Sequence, residues 1–164
     1  YLLAHGHRRL GVLAGPRDSY DAMHRVLGFR QRVRAARLAL RGEWCVHSAF
    51  GEDDGAAAMQ RIMRRAVRPT AVFCANDELA LGALRTLQRL RLRCPEDVSL
   101  IGFDNFLASQ HARPPLTTIA QPLEKIVQTA VEYLMKLLHG VQPVMRVLLP
   151  VSLVERASVR RLRA

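Results

Sequence analysis

The chain has 164 residues, of which 49% are hydrophobic and 24% charged, a composition typical of a globular protein. A chain of this length forms one domain, or one domain with a small appendage, and buries enough surface to fold without disulfides or metals. No apolar run approaches the roughly 20 residues that span a membrane. Tyr1 opens no charged and then apolar signal segment. From the lack of a spanning run we expect no membrane partner.

The net charge of +11 suggests nucleic acid as a partner, but the pattern of the basic residues argues against it. Lysine occurs at positions 125 and 136, and every other basic residue is an arginine. Some arginines recur at helical spacing opposite apolar residues, which is typical of a solvated helix face: Arg30, Arg34, Arg37 and Arg41. Few aromatic residues lie between them to stack on bases. We expect non-specific attraction to polyanions and no direct reading of DNA by this segment.

Cysteine and histidine show no spacing typical of a disulfide or a metal site. Cys45, Cys74 and Cys94 are far apart in sequence, which favours reduced and largely buried thiols in a cytoplasmic protein. No histidine pairs with another ligand residue at a recognisable spacing. Phosphate-binding glycine loops and the GxSxG elbow are also missing. We therefore expect no metal, no cofactor and no enzymatic activity.

Strand-like and helix-like segments alternate along the first two thirds of the chain. In order they are a strand at Arg9–Gly15, a helix capped by Asp18 or Ser19 that continues to about Leu40, a strand at Trp44–Phe50, a helix that starts after Gly51, a strand at Ala71–Ala75, a helix at Glu78–Arg91 and a strand at Val98–Phe103. This alternation with short links predicts an α/β fold with a parallel sheet and right-handed crossovers.

After Asp104 the alternation becomes less regular. The expected elements are a short helix at Phe106–His111, extended chain at Pro114 and Pro115, a strand at Thr117–Gln121, a long helix from Pro122 to His139 ended by Gly140, and a strand at Val144–Val154. Pro150 suggests an edge or a bend in that last strand. Residues 155–164 form a basic tail that we expect to be frayed.

Three polar side chains are predicted to meet at one edge of this sheet. Asn76 and Asp104 directly follow two strands, and Arg25 lies in the first turns of the helix after the first strand. Open α/β sheets bind small molecules where their parallel strands end. A guanidinium, a carboxylate and an amide together can bind vicinal hydroxyls or a small carboxylate. Phe50 could stack on the apolar face of a sugar ring.

Each of these residues also has a structural alternative. Asn76 or Asp77 would cap the helix that follows, and Asp104 would cap a loop. Arg25 would be one more solvated arginine, and Phe50 would be an ordinary core residue. The residues alone leave both interpretations open.

The chain resembles the LacI/GalR family of transcription regulators from about His7 to Ser158. The segments that carry the resemblance are HRRLGVLAGP at 7–16, RVLGF at 25–29, the Phe50-to-Gly55 spacing, PTAVFCANDELALGALR at 69–85, PEDVSLIGFDN at 95–105, PPLTTIAQP at 114–122 and LLPVSLVERAS at 148–158. The resemblance implies a type I periplasmic-binding-protein-like fold. This is a three-layer α/β/α arrangement with two subdomains and a small-molecule effector in the cleft between them.

The resemblance also implies roles for individual residues. It places six residues at the effector site: Arg25, Phe50, Asn76, Asp104, Gln121 and, less centrally, Asp21. Purine-type members of the family use an arginine and a threonine near positions where this chain has Ser19 and Asp21. This difference favours a polyhydroxyl effector such as a sugar.

A homodimer is implied as well. In the family, the helix after Asn-Asp and the segment before Pro-Pro pack across the dimer, and here these are about Glu78–Arg89 and Phe106–Arg113. The candidate dimer contacts within them are Leu81, Leu84, Arg85, Ser109 and Gln110. For Leu81 an ordinary core position is the alternative.

A complete member of the family begins with a DNA-binding head that this chain does not contain. The expected division is residues 1–121 as a nearly complete C-terminal effector-binding subdomain, 122–154 as a helix and a strand of a partial N-terminal subdomain, and 155–164 as the tail. We therefore predict the effector-binding and dimerisation part of a cytoplasmic regulator that contacts DNA through the absent head. A periplasmic sugar-binding protein of an ABC transporter is the alternative with the same fold.

Overall fold

The structure is a computed structural model that describes residues 1–142 and 146–162. Within these residues, six strands form one sheet in the order β2–β1–β3–β4–β5–β6. They are β1 (Leu10–Leu13), β2 (Cys45–Val46), β3 (Ala71–Cys74), β4 (Ser99–Asp104), β5 (Thr117–Ala120) and β6 (Ser152–Val154). Strands β1 to β5 pair in parallel, and β6 pairs antiparallel with β5. The predicted α/β fold with a largely parallel sheet is confirmed.

Helices cover both faces of the sheet. They are α1 (Tyr20–Ala35), α2 (Glu52–Met63), α3 (Asp77–Arg89), α4 (Leu107–His111) and α5 (Leu123–Leu138). On one face, Val26 and Val33 of α1 share a buried cluster with strand residues such as Leu10. On the other face, α2 and α3 form a larger buried cluster with the sheet, which includes Met59 and Leu79. The result is the expected three-layer α/β/α arrangement.

Helices α2 and α3 pack with their backbones in direct contact. A methyl group on Gly82 of α3 would overlap the Glu52 carbonyl, and one on Gly55 of α2 would overlap the α3 backbone. The Thr86 hydroxyl donates a hydrogen bond to the Ala56 carbonyl at 2.9 Å. Because glycine lacks a Cβ, it allows this close approach. The two helices therefore form one tightly joined pair.

The first helix and the strand after it are shorter than predicted. Helix α1 begins after its predicted cap Ser19 but ends at Ala35 and not near Leu40. Arg37 has a φ of +56°, which is outside the helical region and stops the helix. Strand β2 contains two of the residues predicted at Trp44–Phe50, because Trp44 belongs to a 3₁₀ turn and residues 47–50 do not pair as a strand.

The last strand is also shorter than expected. The prediction covered Val144–Val154, but β6 spans Ser152–Val154. Residues 146–151 have no regular secondary structure, and positions 144 and 145 of the predicted strand lie outside the described residues. Strand β6 forms the edge of the sheet next to β5.

The C-terminal segment is firmly held as far as residue 162, so the expectation of a frayed tail was wrong. Ser158 is fully buried. Its hydroxyl donates to the Leu100 carbonyl at 2.7 Å and accepts from the Thr117 N–H at 2.8 Å. Further along, the Arg160 carbonyl lies 3.0 Å from Nε2 of buried His7. These are polar contacts without an apolar repeat, which explains why the sequence pattern did not reveal them.

Helix α5 differs from the other long helices because none of its residues is buried. Its exposed apolar side chains recur at helical spacing: Leu123, Ile126, Val127, Val131, Leu134, Leu137 and Leu138. Among the described residues, no helix is both long enough and apolar enough to cross a membrane.

Candidate functional site

The carboxyl ends of the central strands bring the predicted polar residues to one edge of the sheet. Asp104 ends β4, while Asn76 and Gln121 follow β3 and β5 within two residues. Because β3, β4 and β5 are parallel neighbours, these ends lie side by side. Arg25 reaches the same edge from the second turn of α1. We call this group of polar residues the effector edge.

An ion pair and a hydrogen bond join three of the predicted site residues. Arg25 Nη1 lies 3.2 Å from Asp104 Oδ1 and donates to the Ala75 carbonyl at 2.7 Å. Gln121 Nε2 donates to the same Asp104 oxygen at 2.6 Å. The Arg25 guanidinium also stacks on the Phe103 ring at 3.8 Å from its centroid. The predicted interpretation of Arg25 as a solvated arginine is therefore wrong.

The Asp104 carboxyl is under opposing influences. Burial raises its pKa above the ordinary value for aspartate, while Arg25 and Gln121 act to lower the pKa and Asp77 adds to the increase. Burial outweighs the ion pair, so ionising the Asp104 carboxyl costs more free energy here than in water. Among the described residues, Asp104 Oδ2 accepts no hydrogen bond, which leaves this oxygen for the hydroxyl of a ligand.

Asn76 has a capping role in addition to its place at the effector edge. Its Oδ1 accepts from the Leu79 N–H at 2.9 Å, so Asn76 and not Asp77 is the N-cap of α3. Its Nδ2 donates to the Phe50 carbonyl at 3.1 Å. The Phe50 ring is half-buried and lies against Gly15. The structure thus joins Asn76 to the Phe50 backbone but places the Phe50 ring partly in the core.

A cavity of about 720 Å³ opens between the effector edge and α5. Three predicted site residues line it: Asp21, Arg25 and Gln121. Tyr133 of α5 and Arg146 also line it, and the Arg146 guanidinium donates to the Tyr20 hydroxyl at 3.1 Å. A volume of this size suits a small molecule. The predicted residues therefore combine a polar wall with open space in front of it.

Some of the predicted dimer contacts are buried within this chain, and the others are at least partly exposed. Leu84 and Ser109 are buried within this chain, and the Ser109 hydroxyl donates to the Phe106 carbonyl at 2.7 Å. Neither side chain is free to contact a second subunit directly. Leu81 and Arg85 are partly exposed, and Gln110 is exposed. Arg85 pairs with Asp53 and Glu52 of α2, which adds to the contact between α2 and α3.

Some residues at the edge were not singled out from the sequence. Phe103 lies under Arg25, and the Gly-Phe-Asp-Asn segment could have identified it. Asp77 is fully buried behind the edge, where we had expected a capping acid. Arg156 comes from the segment predicted to be a tail, and no motif pointed to its contact with Asn105. These side chains are brought in by tertiary contacts that local patterns do not encode.

Two of the three thiols, those of Cys74 and Cys94, are poorly suited to act as nucleophiles. Burial raises the pKa of Cys94 to about 12 and raises the pKa of Cys74 well above its usual range. A thiol with a raised pKa stays protonated at neutral pH and is a poor nucleophile. The described residues contain no cluster of three or more side chains suited to a metal ion.

Comparison with known proteins agrees with this geometry. Residues 1–159 match the family described as periplasmic binding protein-like domain. The chain is 36% identical over 160 residues to the HTH-type transcriptional repressor PurR of Klebsiella pneumoniae, covering 97% of this chain and 47% of that protein. It is 39% identical over 136 residues to PurR of Vibrio vulnificus, covering 83% and 41%. The chain thus spans less than half the length of these relatives.

Solved structures show the same architecture. The transcriptional regulator CelR in complex with cellobiose has a TM-score of 0.92 at 34% identity, covering 96% of this chain and 48% of that one. The lac repressor dimer bound to operator and the anti-inducer ONPF has a TM-score of 0.91 at 33% identity, covering 97% and 55%. With the family match over nearly the whole chain, these similarities show that the chain belongs to the LacI/GalR family and forms part of its periplasmic-binding-protein-like effector-binding domain.

Proposed function

We propose that this chain is the effector-binding and dimerisation part of a transcription regulator that senses a small polyhydroxylated molecule such as a sugar. The observation that carries the proposal is the cluster of Arg25, Asp104 and Gln121 beside the 720 Å³ cavity. A guanidinium and a carboxylate with a free oxygen can bind neighbouring hydroxyls in a fixed orientation. The cellobiose complex of CelR supports a sugar as the ligand class.

The proposed site contains all six residues inferred from the family. Arg25 and Asp104 provide the main polar contacts, and Gln121 holds the carboxylate. Asp21 lies on the cavity wall, and Asn76 supports the edge behind it, because its amide caps α3 and donates to the Phe50 carbonyl. The sixth, Phe50, contributes the exposed part of its ring beside Asn76. The division of the chain is also part of the proposal, with residues 1–121 as one subdomain and α5 as part of the other across the cavity. Strand β6, which the sequence had placed in 122–154, pairs with β5 and so joins the sheet of residues 1–121.

The proposed mechanism is cleft closure. An effector held by the edge and by the α5 side of the cavity stabilises the closed form and shifts the population between dimers that bind DNA and dimers that do not. DNA is contacted by a head outside this chain, and the regulator acts in the cytoplasm without enzymatic activity. The relatives reported above are named as transcription regulators or repressors, which favours this function over a transport protein.

Dimerisation is assigned to the exposed parts of α3 and α4. Leu81, Arg85 and Gln110 remain available there, and the neighbouring Phe106 and Leu107 expose 44% and 69% of their surface. Exposed apolar side chains next to each other are typical of protein interfaces. In sedimentation equilibrium of the full-length protein, Leu107→Asp should shift the dimer towards monomer, whereas Leu90→Asp at the far end of α3 should not.

The effector class is tested by thermal shift of the full-length protein with cellobiose, galactose and ribose, and with hypoxanthine and guanine as the competing class. We expect a sugar to raise the melting temperature of the wild type and to have no effect on Arg25→Ala, while both proteins unfold cooperatively. A shift with a purine base and none with the sugars would contradict the sugar assignment. An unchanged affinity of Arg25→Ala by calorimetry would contradict the role of that arginine.

A further inference from the structure

The turn that carries Asp104 has an unusual backbone. Asp104 has a φ of +111° and Asn105 a φ of +62°, although neither is glycine. Residues other than glycine rarely adopt these backbone angles, and they keep them only where contacts with the surrounding structure hold the backbone in place. Phe106, the next residue, begins the turn of α4. The segment Asp104–Phe106 is therefore a strained turn at the effector edge, and two charged side chains hold it.

Asp77 holds the turn from the side of α3. Its Oδ2 accepts from the Phe106 N–H at 2.9 Å, and its Oδ1 accepts from the Thr118 hydroxyl at 2.6 Å. Asp77 is fully buried at the first position of α3. A methyl group on Gly102 would overlap the Asp77 carboxylate, so glycine provides the space that this side chain occupies. One carboxylate thus joins α3, β5 and the turn.

Arg156 holds the turn from the other side. Its Nη2 donates to Asn105 Oδ1 at 2.5 Å, and its Nη1 donates to the Leu116 carbonyl at 2.7 Å and lies 3.4 Å from the Ser109 hydroxyl. Its backbone N–H donates to Thr117 Oγ1 at 3.0 Å. A planar guanidinium can reach several acceptors in one plane, which a lysine ammonium cannot. Arg156 therefore joins the turn to α4 and β5.

We propose that Asp77 and Arg156 are positioning residues that hold the strained turn so that the Asp104 carboxylate faces the effector. Through the same contacts, a movement of Asp104 is transmitted to the start of α3 and to α4, which carry the proposed dimer surface. This inference rests on the proposed function, because it gives that site its link to the dimer. Neither residue touches the effector itself.

Hydrogen exchange measured by mass spectrometry on the full-length protein tests whether the two residues hold the turn. In Arg156→Lys and in Asp77→Asn, peptides that cover residues 104–111 should exchange at least ten-fold faster, while peptides of α2 keep their protection. The matched controls are Arg161→Lys, an exposed arginine of the same segment, and Asp97→Asn. Asp97 also accepts from a backbone N–H, that of Arg93, but at the opposite end of β4. Unchanged exchange at 104–111, or an equal increase throughout the protein, would overturn the proposal.

The substitution Asn105→Gly tests the contact between Arg156 and Asn105 by changing Asn105. Glycine tolerates the positive φ and removes the acceptor of Arg156, so the turn should exchange faster without a risk to the helices. In Arg156→Lys, a further Asn105→Gly change should add little, because both act on one contact. Fully additive increases in exchange would contradict a shared contact between these two residues.

Calorimetry with cellobiose, galactose and ribose then separates this inference from the proposed function. If the wild type binds one of them, Arg156→Lys should bind it at least ten-fold more weakly with its circular dichroism unchanged, and equal affinity would overturn the positioning role. If the wild type binds none, the sugar assignment fails, and the exchange data alone decide whether the two residues hold the turn.

Discussion

Arg25 and Asp104 form an ion pair at 3.2 Å across the effector edge, yet the pKa of Asp104 is raised because its burial outweighs the attraction of Arg25. A carboxyl with a raised pKa in the folded state favours folding in its neutral form. Its contribution to stability is therefore present below the ordinary aspartate pKa and is lost as the pH rises through the folded pKa. At neutral pH the ionised Asp104 therefore lowers the stability of the fold, but it provides a charge that can bind a ligand.

The raised pKa of Asp104 predicts the effect of the substitution Asp104→Asn. The amide is nearly isosteric and neutral, and asparagine tolerates a positive φ, so the variant should unfold at a higher temperature than the wild type at pH 7 and should lose its response to the effector. Thermal unfolding at pH 7 and at pH 4 provides the measurement, with a smaller difference expected at pH 4. A lower melting temperature at pH 7 would show that the Arg25 pair outweighs burial.

Substituting alanine for glycine should have opposite effects at the contact between α2 and α3 and at an open position on α1. Gly82→Ala forces a methyl group into the Glu52 carbonyl and should destabilise the protein by about 1–3 kcal/mol or more. Gly28→Ala is the matched control, because a methyl group there meets nothing within 4 Å on α1 and should stabilise by about 0.5–1 kcal/mol. Urea unfolding measures both. Equal effects from the two substitutions would mean that the helices separate easily.

Particular elements show what the sequence can predict and what it cannot. Alternating apolar runs and helix caps are local features, so β3, α3 and the position of Asn76 and Asp104 at one edge were predicted. Arg25 was placed correctly, but its bonds to Ala75 and Asp104 depend on how α1 lies on the sheet. Contacts across long separations have no local signal. For this reason the anchored tail and the buried Asp77 were missed.

Ser158 provides a test of the anchored C-terminal segment. Ser158→Ala removes the partner of the buried Thr117 N–H and of the Leu100 carbonyl, and leaving such groups without a hydrogen bond costs about 1–3 kcal/mol. Ser152→Ala in β6 is the control, because this serine is exposed and its loss should change the free energy of unfolding by less than about 0.5 kcal/mol. Urea unfolding measures both variants. If the tail is frayed, both substitutions should give the same small change in the free energy of unfolding.

His7 predicts how stability depends on pH. Burial lowers its pKa below the usual value for histidine and outweighs the hydrogen bond to the Arg160 carbonyl, which acts to raise the pKa, while the charges of Arg160 and His5 add to the lowering. The unfolded chain therefore binds a proton more readily, so this stability is present above about pH 6.5 and is lost as the pH falls through the folded pKa. Between pH 8 and pH 5, the wild type should lose more stability in urea unfolding than His7→Gln. His139→Gln, at an exposed position, should keep the pH dependence of the wild type.

The apolar face of α5 predicts how residues 1–164 behave in isolation. Leu123, Val127, Val131 and Leu134 lie on one stripe of the helix, each more than half exposed. Because a continuous apolar surface of this kind drives association, the isolated segment should bind a hydrophobic dye and self-associate in sedimentation equilibrium. The double variant Val131→Lys with Leu134→Lys should reduce both, whereas Leu90→Lys, just beyond the C-terminal end of α3, should not. A segment that binds no hydrophobic dye and stays monomeric would show that the stripe is covered within the segment. The isolated segment should also bind the sugars of the panel weakly, because part of the cleft is missing.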